Sequence, residues 1–349
     1  MAQLRVAAVN ATLFTPISLT AAIRRLGFVQ ADPIRAPARA QDLILRHRVK
    51  GYRIGDLERK YPRLDVDEDV VYAYGFVPSN TLHLLHPKTG GVLTDFETDV
   101  LAVVRAHGPL HPNDLRTWFG SERVMNDWGG YSKATKRALE RLHHHGLLRI
   151  ARRDLGVRVY EAAPTTPARI ALSHDERMRA LIALVVRSLS PIPERTLSGI
   201  AAYVGRHVAE FANHRTVMRQ MIAGGELRKE TIDAMPYIML PGGRARGEPS
   251  AVRFLAPFDP VVWDRRRFEH LWGWTYRFEA YTPLAKRVRG YYALPLLWGS
   301  TVIGWANVRS DAKDIKLELG FNTQKPRSRE FDRELAAEVE RFRAFMRLG

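Results

Sequence analysis

Residues 132–161 read SKATKRALERLHHHGLLRIARRDLGVRVYE, and they contain the clearest fold pattern in the chain. Ser132 suits a helix N-cap and Gly146 suits a left-handed C-cap, so a helix is predicted between them. Its apolar stripe has helical spacing and consists of Thr135, Ala138, Leu139 and Leu142. Two alternating runs follow, 147–152 and 157–161, separated by a short turn. A helix followed by such a hairpin is typical of the third helix and wing of a winged helix.

The residues before and after this stretch extend the pattern to the whole chain. Two further helices, 100–106 and 112–119, are predicted in front of it, which completes one winged-helix unit. The succession of helix, glycine and strand recurs at 23–29, 142–150 and 221–228. From Ala251 onward alternating strands dominate, and a last helix is predicted over 328–346.

We therefore predict an α+β protein with tandem winged-helix units followed by a β-rich C-terminal domain. The predicted domains are 1–95, which contains the candidate motif described below, 96–168, 169–248 and 249–349. The loop 241–249, which is rich in glycine and proline, marks the last boundary.

The net charge and the absence of cysteine favour some classes of function and exclude others. Lys and Arg number 54 against 37 Asp and Glu, a net charge of +17 in 349 residues, which favours a polyanionic partner such as nucleic acid. A genome rich in G and C explains the preference for Arg over Lys, but explains less well the surplus over acids. The chain has no cysteine, which excludes disulfides, Cys-ligated zinc and a thiol nucleophile.

Other features give predictions about cofactors and location. The three consecutive histidines 143–145 point in different directions on a helix, so we expect no metal site there. No phosphate-binding glycine loop is present, and no cofactor is expected. No segment has the length of an apolar membrane span, and the N-terminus lacks a signal-peptide pattern, so we expect a cytoplasmic protein, associated with the nucleoid. Because several winged-helix units in one chain already supply several DNA contacts, we expect a monomer.

The predicted third helix and wing of the middle unit have a basic surface. Lys133, Lys136 and Arg137 lie on the helix face opposite the apolar stripe, and Arg152 lies in the hairpin. A basic third helix beside a basic wing usually contacts DNA in this fold. The alternative is a winged helix that serves only to dock another protein.

A candidate catalytic pair follows the first predicted helix, in the segment Leu26-Gly27-Phe28-Val29-Gln30-Ala31-Asp32. If this segment is extended, Gln30 and Asp32 point to the same side. A carboxylate beside a carboxamide can hold and polarise one water. Most Gln-x-Asp triplets are solvated surface, so spacing alone is a weak argument. Arg35, Arg39 and Arg46 follow nearby and suit an anionic backbone, although a solvated arginine face is the alternative.

Several motifs of the chain, in order, resemble the bacterial AlkZ/YcaQ-type DNA glycosylases. They are 26–32 with Arg39-Ala40 and Arg48-Val49, 133–140, Phe254-Leu255-Ala256-Pro257-Phe258-Asp259-Pro260 with 263–267, 276–283, Lys286-Arg287 and Gly290-Tyr291-Tyr292. The resemblance implies tandem winged helices around DNA and excision of N-alkylated purines, crosslinked ones included, without metal or nucleotide. Because Gln30-Ala31-Asp32 has the Gln-x-Asp form, the chain resembles the YcaQ branch, associated with N7-alkylguanine and crosslinks of the nitrogen-mustard type.

Two positions depart from the family pattern. Gln41 stands where a His often follows Arg-Ala, and Tyr72 stands where another His is common. Both are expected near the lesion, and both affect the substrate range more than the reaction.

The sequence thus predicts a monofunctional glycosylase that hydrolyses the N-glycosidic bond of N7-alkylated purines in double-stranded DNA. Asp32 is expected to stabilise the sugar cation and accept the water proton, and Gln30 to orient that water. The residues expected at phosphates are Arg35, Arg39, Arg46, Arg48, Lys133, Lys136, Arg137, Arg152, Arg265, Arg266, Lys286 and Arg287. The alternative is a non-catalytic winged-helix DNA binder such as a transcription regulator.

Overall fold

The computed structural model describes residues 1–88, 92–125, 131–164, 172–208, 213–242, 247, 249–310, 314–322 and 324–348. Within these ranges the chain forms helices and small antiparallel sheets. No described helix is long and apolar enough to cross a membrane.

The first region consists of short elements around one small sheet. They are α1 (Ala2–Thr12), α2 (Leu19–Leu26), β1 (Val29–Gln30), α3 (Ala40–Leu45), α4 (Asp56–Lys60), β2 (Val66–Val70), β3 (Tyr74–Pro78) and α5 (Leu82–Leu85). The sheet order is β1-β3-β2, so β1 pairs with the second strand of the hairpin.

The second region repeats this order around a longer third helix. Its elements are α6 (Asp95–His107), α7 (Arg116–Phe119), β4 (Arg123–Met125), β5 (Tyr131–Lys133), α8 (Ala134–His144), β6 (Leu148–Asp154) and β7 (Val157–Ala162). Leu110 bridges Tyr160 of β7 in place of a first strand. The predicted N-cap at Ser132 was wrong, because α8 begins at Ala134 with Lys133 as its N-cap.

The third region has the same sheet order again. It contains α9 (His174–Leu189), β8 (Ile192–Pro193), α10 (Glu194–His207), α11 (His214–Ala223), β9 (Arg228–Ile232) and β10 (Met235–Met239). The strands run in the order β8-β10-β9. The order helix, strand, two helices and hairpin therefore occurs in the first and third regions. The second region differs in two ways within the described residues, because an isolated bridge replaces the strand and the pair β4–β5 lies between its last two helices.

The C-terminal region is a four-stranded antiparallel sheet with three helices. Its elements are β11 (Val252–Phe254), α12 (Pro260–Trp263), α13 (Arg265–Trp272), β12 (Leu294–Trp298), β13 (Thr301–Ser310), β14 (Ile315–Phe321) and α14 (Arg329–Met346). The predicted strands and the predicted last helix are present within a few residues of their expected bounds.

The buried apolar residues do not separate along the predicted domain boundaries. One continuous cluster joins Phe76 of the first region, Leu139 of the second, and Phe254 and Phe342 of the C-terminal region. A second cluster joins Phe28 to α9 and its neighbours. The N-terminal region therefore shares its core with all the others, and the four-domain division stays a prediction.

Candidate active site at the end of the first strand

Gln30 ends β1 and Asp32 lies two residues further on, and two glycines determine the backbone conformation here. Gly27 ends α2 with a φ of 77°, a left-handed conformation that glycine adopts readily. Gly75 lies opposite Gln30 in β3, where a Cβ would collide with the carbonyl oxygen of Val29 and the ring of Phe28. The close approach of β3 to β1 therefore requires glycine at position 75. It keeps the chain extended up to Ala31, whose N–H donates to the Tyr74 carbonyl at 2.9 Å.

Asp32 is a half-buried carboxylate at the start of the loop after β1. Its Oδ1 accepts a hydrogen bond from the Ile34 N–H at 2.9 Å, which ties the side chain to its own loop. Its backbone N–H donates to Oε1 of Gln41 at 3.3 Å. Burial raises the pKa of Asp32, and the Ile34 N–H partly offsets that rise. Gln41 is itself buried, so its role is to hold the backbone of Asp32 in place.

Tyr292 lies against this carboxylate from the C-terminal region. Its pKa is raised well above the usual value, first by burial and next by the charge of Asp32. Its buried hydroxyl has no hydrogen-bond partner among the described residues. This hydroxyl is therefore a buried polar group, without a partner in the described part of the chain, that is influenced by the charge of Asp32.

Gln30 is fixed by a tryptophan that lies 233 residues further along the chain. The indole Nε1–H of Trp263 donates to Oε1 of Gln30 at 2.8 Å. The Trp263 ring packs edge-on against Tyr72, with 4.7 Å between centroids, and Tyr72 packs in the same way on Phe28. Tyr72 thus supports Trp263 from within the protein, and its link to the lesion is indirect.

The segment that includes Trp263 is clamped to the first region by buried charges. Asp259 accepts two hydrogen bonds from the Arg48 guanidinium, at 2.8 and 3.0 Å, and it also caps α12 through the Val261 N–H. Arg267 is fully buried and donates to the carbonyls of Leu189, Pro191, Pro260 and Val261. These contacts fix both ends of α12 and so determine where its last residue, Trp263, lies.

The prediction that Arg46 and Arg48 hold DNA phosphates was wrong. The Arg48 side chain is 0% exposed and the Arg46 side chain is 3% exposed. Arg46 pairs with Glu338, donates to the Phe254 carbonyl at 3.1 Å and lies over the Phe342 ring. Both guanidiniums already have protein partners, and no phosphate can reach them.

Arg35 and Arg39 lie in the loop after Asp32, and they differ in exposure. Arg35 is exposed and stays available for a phosphate. Arg39 forms an ion pair with Glu58 and lies against Gly156 in the tip of the β6–β7 hairpin. Burial and the charge of Arg35 lower the pKa of Arg39. The hairpin of the second region therefore reaches the candidate site, and its tip residue Leu155 is fully exposed there.

The predicted basic residues of the second region lie on its surface. The Lys136 side chain is 58% exposed and lies 4.0 Å from Glu140, and Arg137 is exposed beside it. Lys133 donates to Asn113 at 3.2 Å from a partly exposed position. Arg152 is exposed and pairs with Asp154 in the same hairpin.

The remaining residues predicted to contact phosphates include both buried and exposed side chains. Arg265 is largely buried, donates to the Val262 and Pro257 carbonyls, and lies over the Tyr276 ring. Arg266 and Lys286 are exposed. Arg287 is partly buried and donates to the Thr282 carbonyl at 2.8 Å.

One exposed surface was missed in the sequence, the loop between residues 279 and 291. Tyr281, Leu284 and Val288 are 80%, 79% and 76% exposed. The buried Glu279 carboxylate fixes the loop by accepting three consecutive N–H groups, those of 288, 289 and 290. A cleft of about 360 Å³ separates this loop from Ala36, four residues after Asp32. Its basic residues at 286, 287 and 289, flanked by tyrosines at 281 and 291, were a usable signal, but exposure cannot be read from sequence.

A second polar cluster lies where the first two regions meet. His143 of α8 is buried and faces the Glu68 carbonyl at 3.0 Å, and burial lowers its pKa to about 4. Asp69 pairs with His86 and Lys88, each at 2.5 Å. A cavity of about 380 Å³ opens at this seam, and its lining includes neither Gln30 nor Asp32.

Comparisons with known proteins identify the family of the chain. The family model described as DNA glycosylase AlkZ-like matches residues 23–345. The chain therefore belongs to the AlkZ-like DNA glycosylase family. It is a DNA repair protein of the hydrolase class, and its substrate is DNA.

The fold is similar to a solved member of that family. The structure of Streptomyces sahachiroi DNA glycosylase AlkZ superimposes with a TM-score of 0.66 at 15% sequence identity. The match covers 99% of this chain and 98% of that one. At this identity the likeness is one of fold.

Proposed function

We propose that this glycosylase hydrolyses the N-glycosidic bond of N7-alkylated purines in duplex DNA and unhooks crosslinks through such bases. The observation that carries the proposal is the half-buried Asp32 carboxylate, tied by one oxygen, beside a Gln30 amide that a buried segment fixes. A purine alkylated at N7 is cationic and leaves as a neutral base, so it needs no protonation by the enzyme. It needs a stabilised sugar cation and a placed water.

Asp32 supplies the charge in this mechanism. As the bond breaks, positive charge develops on the sugar, and a carboxylate nearby stabilises it more strongly when it is partly removed from solvent. The same carboxylate then accepts a proton from the attacking water. Gln30 orients that water by hydrogen bonding. The residues described around Asp32 include no lysine partner, in agreement with a monofunctional reaction rather than a Schiff-base one.

DNA is held by the three repeated regions, which we propose act as winged helices. The exposed residues Arg35, Lys136 and Arg137 contact phosphates, with an affinity that falls as salt rises. The exposed Leu155 at the hairpin tip, next to Gly156 that lies against Arg39, and the exposed apolar residues of the 279–291 loop, across a cleft from Ala36, enter a groove, where apolar side chains can wedge between bases. A site framed by surface loops in this way accepts bulky lesions.

The test uses two duplexes, one with a single N7-methylguanine and one with an N7–N7 crosslink between strands. Purified protein is incubated with each, and alkali then cuts the DNA at abasic sites. We expect scission above spontaneous depurination with the wild type, and a loss of at least about 100-fold in Asp32→Asn and Gln30→Ala.

Binding to the same duplexes is measured alongside, because both variants should bind DNA like the wild type. Full activity in Asp32→Asn would refute the mechanism. Tight binding without scission of either duplex would instead favour the non-catalytic DNA binder.

A further inference from the structure

We propose that Trp263 is the positioning residue of the candidate site, because it fixes the orientation of the Gln30 amide so that Gln30 acts as a hydrogen-bond donor. The proposal rests on the proposed function and adds the direction of the hydrogen bonds. It also makes the role expected from the sequence more specific, since there Gln30 was expected only to orient the water.

The orientation follows from the chemistry of the indole. A tryptophan Nε1–H can only donate, so the group of Gln30 that faces it at 2.8 Å must be the carbonyl oxygen. Oxygen and nitrogen of a carboxamide are otherwise hard to distinguish, and here the partner decides. The NH₂ group is then directed away from Trp263, and it has no protein acceptor within the described ranges.

Trp263 can hold the Gln30 amide in this orientation because Trp263 is itself fixed in place and cannot move with Gln30. The start of its helix is fixed by the Arg48–Asp259 pair, and the helix carbonyls are held by the buried Arg267. Its ring is packed against Tyr72. Freezing one amide orientation before the substrate arrives removes a rotation that would otherwise compete with catalysis.

The consequence for the reaction is a division of roles. Gln30 donates its N–H groups to the oxygen of the attacking water or to an oxygen of the substrate. Acceptance of the water proton is left to Asp32. A glutamate at position 30 would still accept from Trp263 but would donate nothing, so it should be as inactive as an alanine.

The activity test compares Trp263→Phe with Trp272→Phe under single-turnover conditions on the N7-methylguanine duplex. Trp272 is the matched control, since its indole also donates one hydrogen bond, to the Ser300 carbonyl at 3.0 Å, away from the site. We expect the rate of bond cleavage to fall about 10-fold in Trp263→Phe, with unchanged DNA affinity and unfolding midpoint, and to stay unchanged in Trp272→Phe.

A double variant separates positioning from a general structural effect. If Trp263 acts through Gln30, adding Trp263→Phe to Gln30→Ala causes no further loss. Losses that multiply in the double variant, or a Trp263→Phe enzyme with the wild-type rate, would overturn the proposal.

A readout that does not require activity is the NMR signal of the Trp263 indole N–H, assigned by its disappearance in Trp263→Phe. We expect this signal to move in Gln30→Ala while the Trp272 signal stays in place. An unmoved Trp263 signal would disprove the hydrogen bond whether or not the protein cuts DNA. Absence of scission in the wild type with a moved signal would count against the proposed substrate and leave the bond standing.

Discussion

The first and second regions share an order of three helices followed by a hairpin, but they use their basic residues in opposite ways. In the first, Arg46 and Arg48 follow α3 and are buried against Glu338 and Asp259. In the second, Lys136 and Arg137 of α8 are exposed. Arg46 and Arg48 are buried because carboxylates from a distant part of the chain pair with them, whereas Lys136 and Arg137 stay at the surface. A basic helix in a DNA-binding protein is therefore not by itself a DNA contact.

The two regions also differ in the length of the third helix and in the element that holds the candidate functional residues. The third helix is five residues long in the first region, α4, and eleven in the second, α8. The first region instead uses the end of its first strand, where Gln30 and Asp32 lie. We infer that the first region supplies the chemistry, and the second supplies surface for the duplex.

The largest expected effect is on stability, in Arg48→Met. Removal of the guanidinium leaves the Asp259 carboxylate buried without a counter-charge, which typically costs about 3–5 kcal/mol. Urea unfolding followed by circular dichroism measures the loss. Arg35→Met, the exposed arginine of the same region, should unfold at the wild-type midpoint. An Arg48→Met protein that is stable but binds DNA poorly would restore Arg48 to the DNA interface and break the comparison.

The second effect is on DNA affinity, in the triple variant Lys133→Gln, Lys136→Gln and Arg137→Gln. We expect unchanged stability, an affinity for undamaged duplex at least about 10-fold lower, and a shallower dependence of log Kd on log salt. The slope should change by about 0.9 for each phosphate that the variant no longer neutralises.

The control for that variant removes the same charge from the C-terminal loop, at Lys325, Arg327 and Arg329. These residues are exposed and have no assigned role at DNA. If both triple variants bind DNA equally weakly, α8 has no special place at the duplex and net charge alone explains the binding.

A third effect concerns the pH dependence of bond cleavage. Burial raises the pKa of Asp32, and the reaction needs its ionised form. The rate should therefore be constant at neutral pH and fall about tenfold per unit below the raised pKa, at a higher pH than for an ordinary Asp of about 3.9. Single-turnover rates on the N7-methylguanine duplex measure this, with the fold checked at each pH. A rate that stays constant to pH 4 would assign the charge to another group.

A fourth effect concerns the stability of the seam between the two regions, at His143. Burial lowers its pKa to about 4, so below pH 6.5 the unfolded chain takes up a proton that the folded chain does not. Wild-type stability should thus fall between pH 6.5 and 4, by up to about 1.4 kcal/mol per unit from this group. His143→Gln should show a shallower fall, whereas the exposed His83→Gln should behave as wild type. Equal slopes in all three proteins would mean that His143 is protonated in the folded state.

Local patterns in the sequence were sufficient for the elements and for the candidate pair. The glycines at 27, 146 and 225 each follow a helix and each have a positive φ, so the repeated pattern could be read directly. Gln30 and Asp32 were predicted together because they are two residues apart at the end of a strand. Gln41 was singled out by its departure from the family pattern, and it bonds to Asp32.

The partners of these residues could not be predicted, because they are distant in the chain. Trp263 lies 233 residues from Gln30 and Asp259 lies 211 from Arg48, and neither separation leaves a periodic signal. Arg46 and Arg48 were misassigned for the same reason. From the sequence both were expected to contact DNA phosphates, whereas in the structure they pair with Glu338 and Asp259.

The contact between Arg46 and Glu338 joins residues that are 292 positions apart, and it has a consequence for folding during translation. The core around α3 includes Phe342 and Phe345, so it cannot close while the ribosome is still adding the last helix. Synthesis proceeds at roughly 5–20 residues per second, and nascent chains fold region by region from the N-terminus. Gln30 is made early but meets Trp263 late, so the nascent chain has no complete site until translation is nearly over.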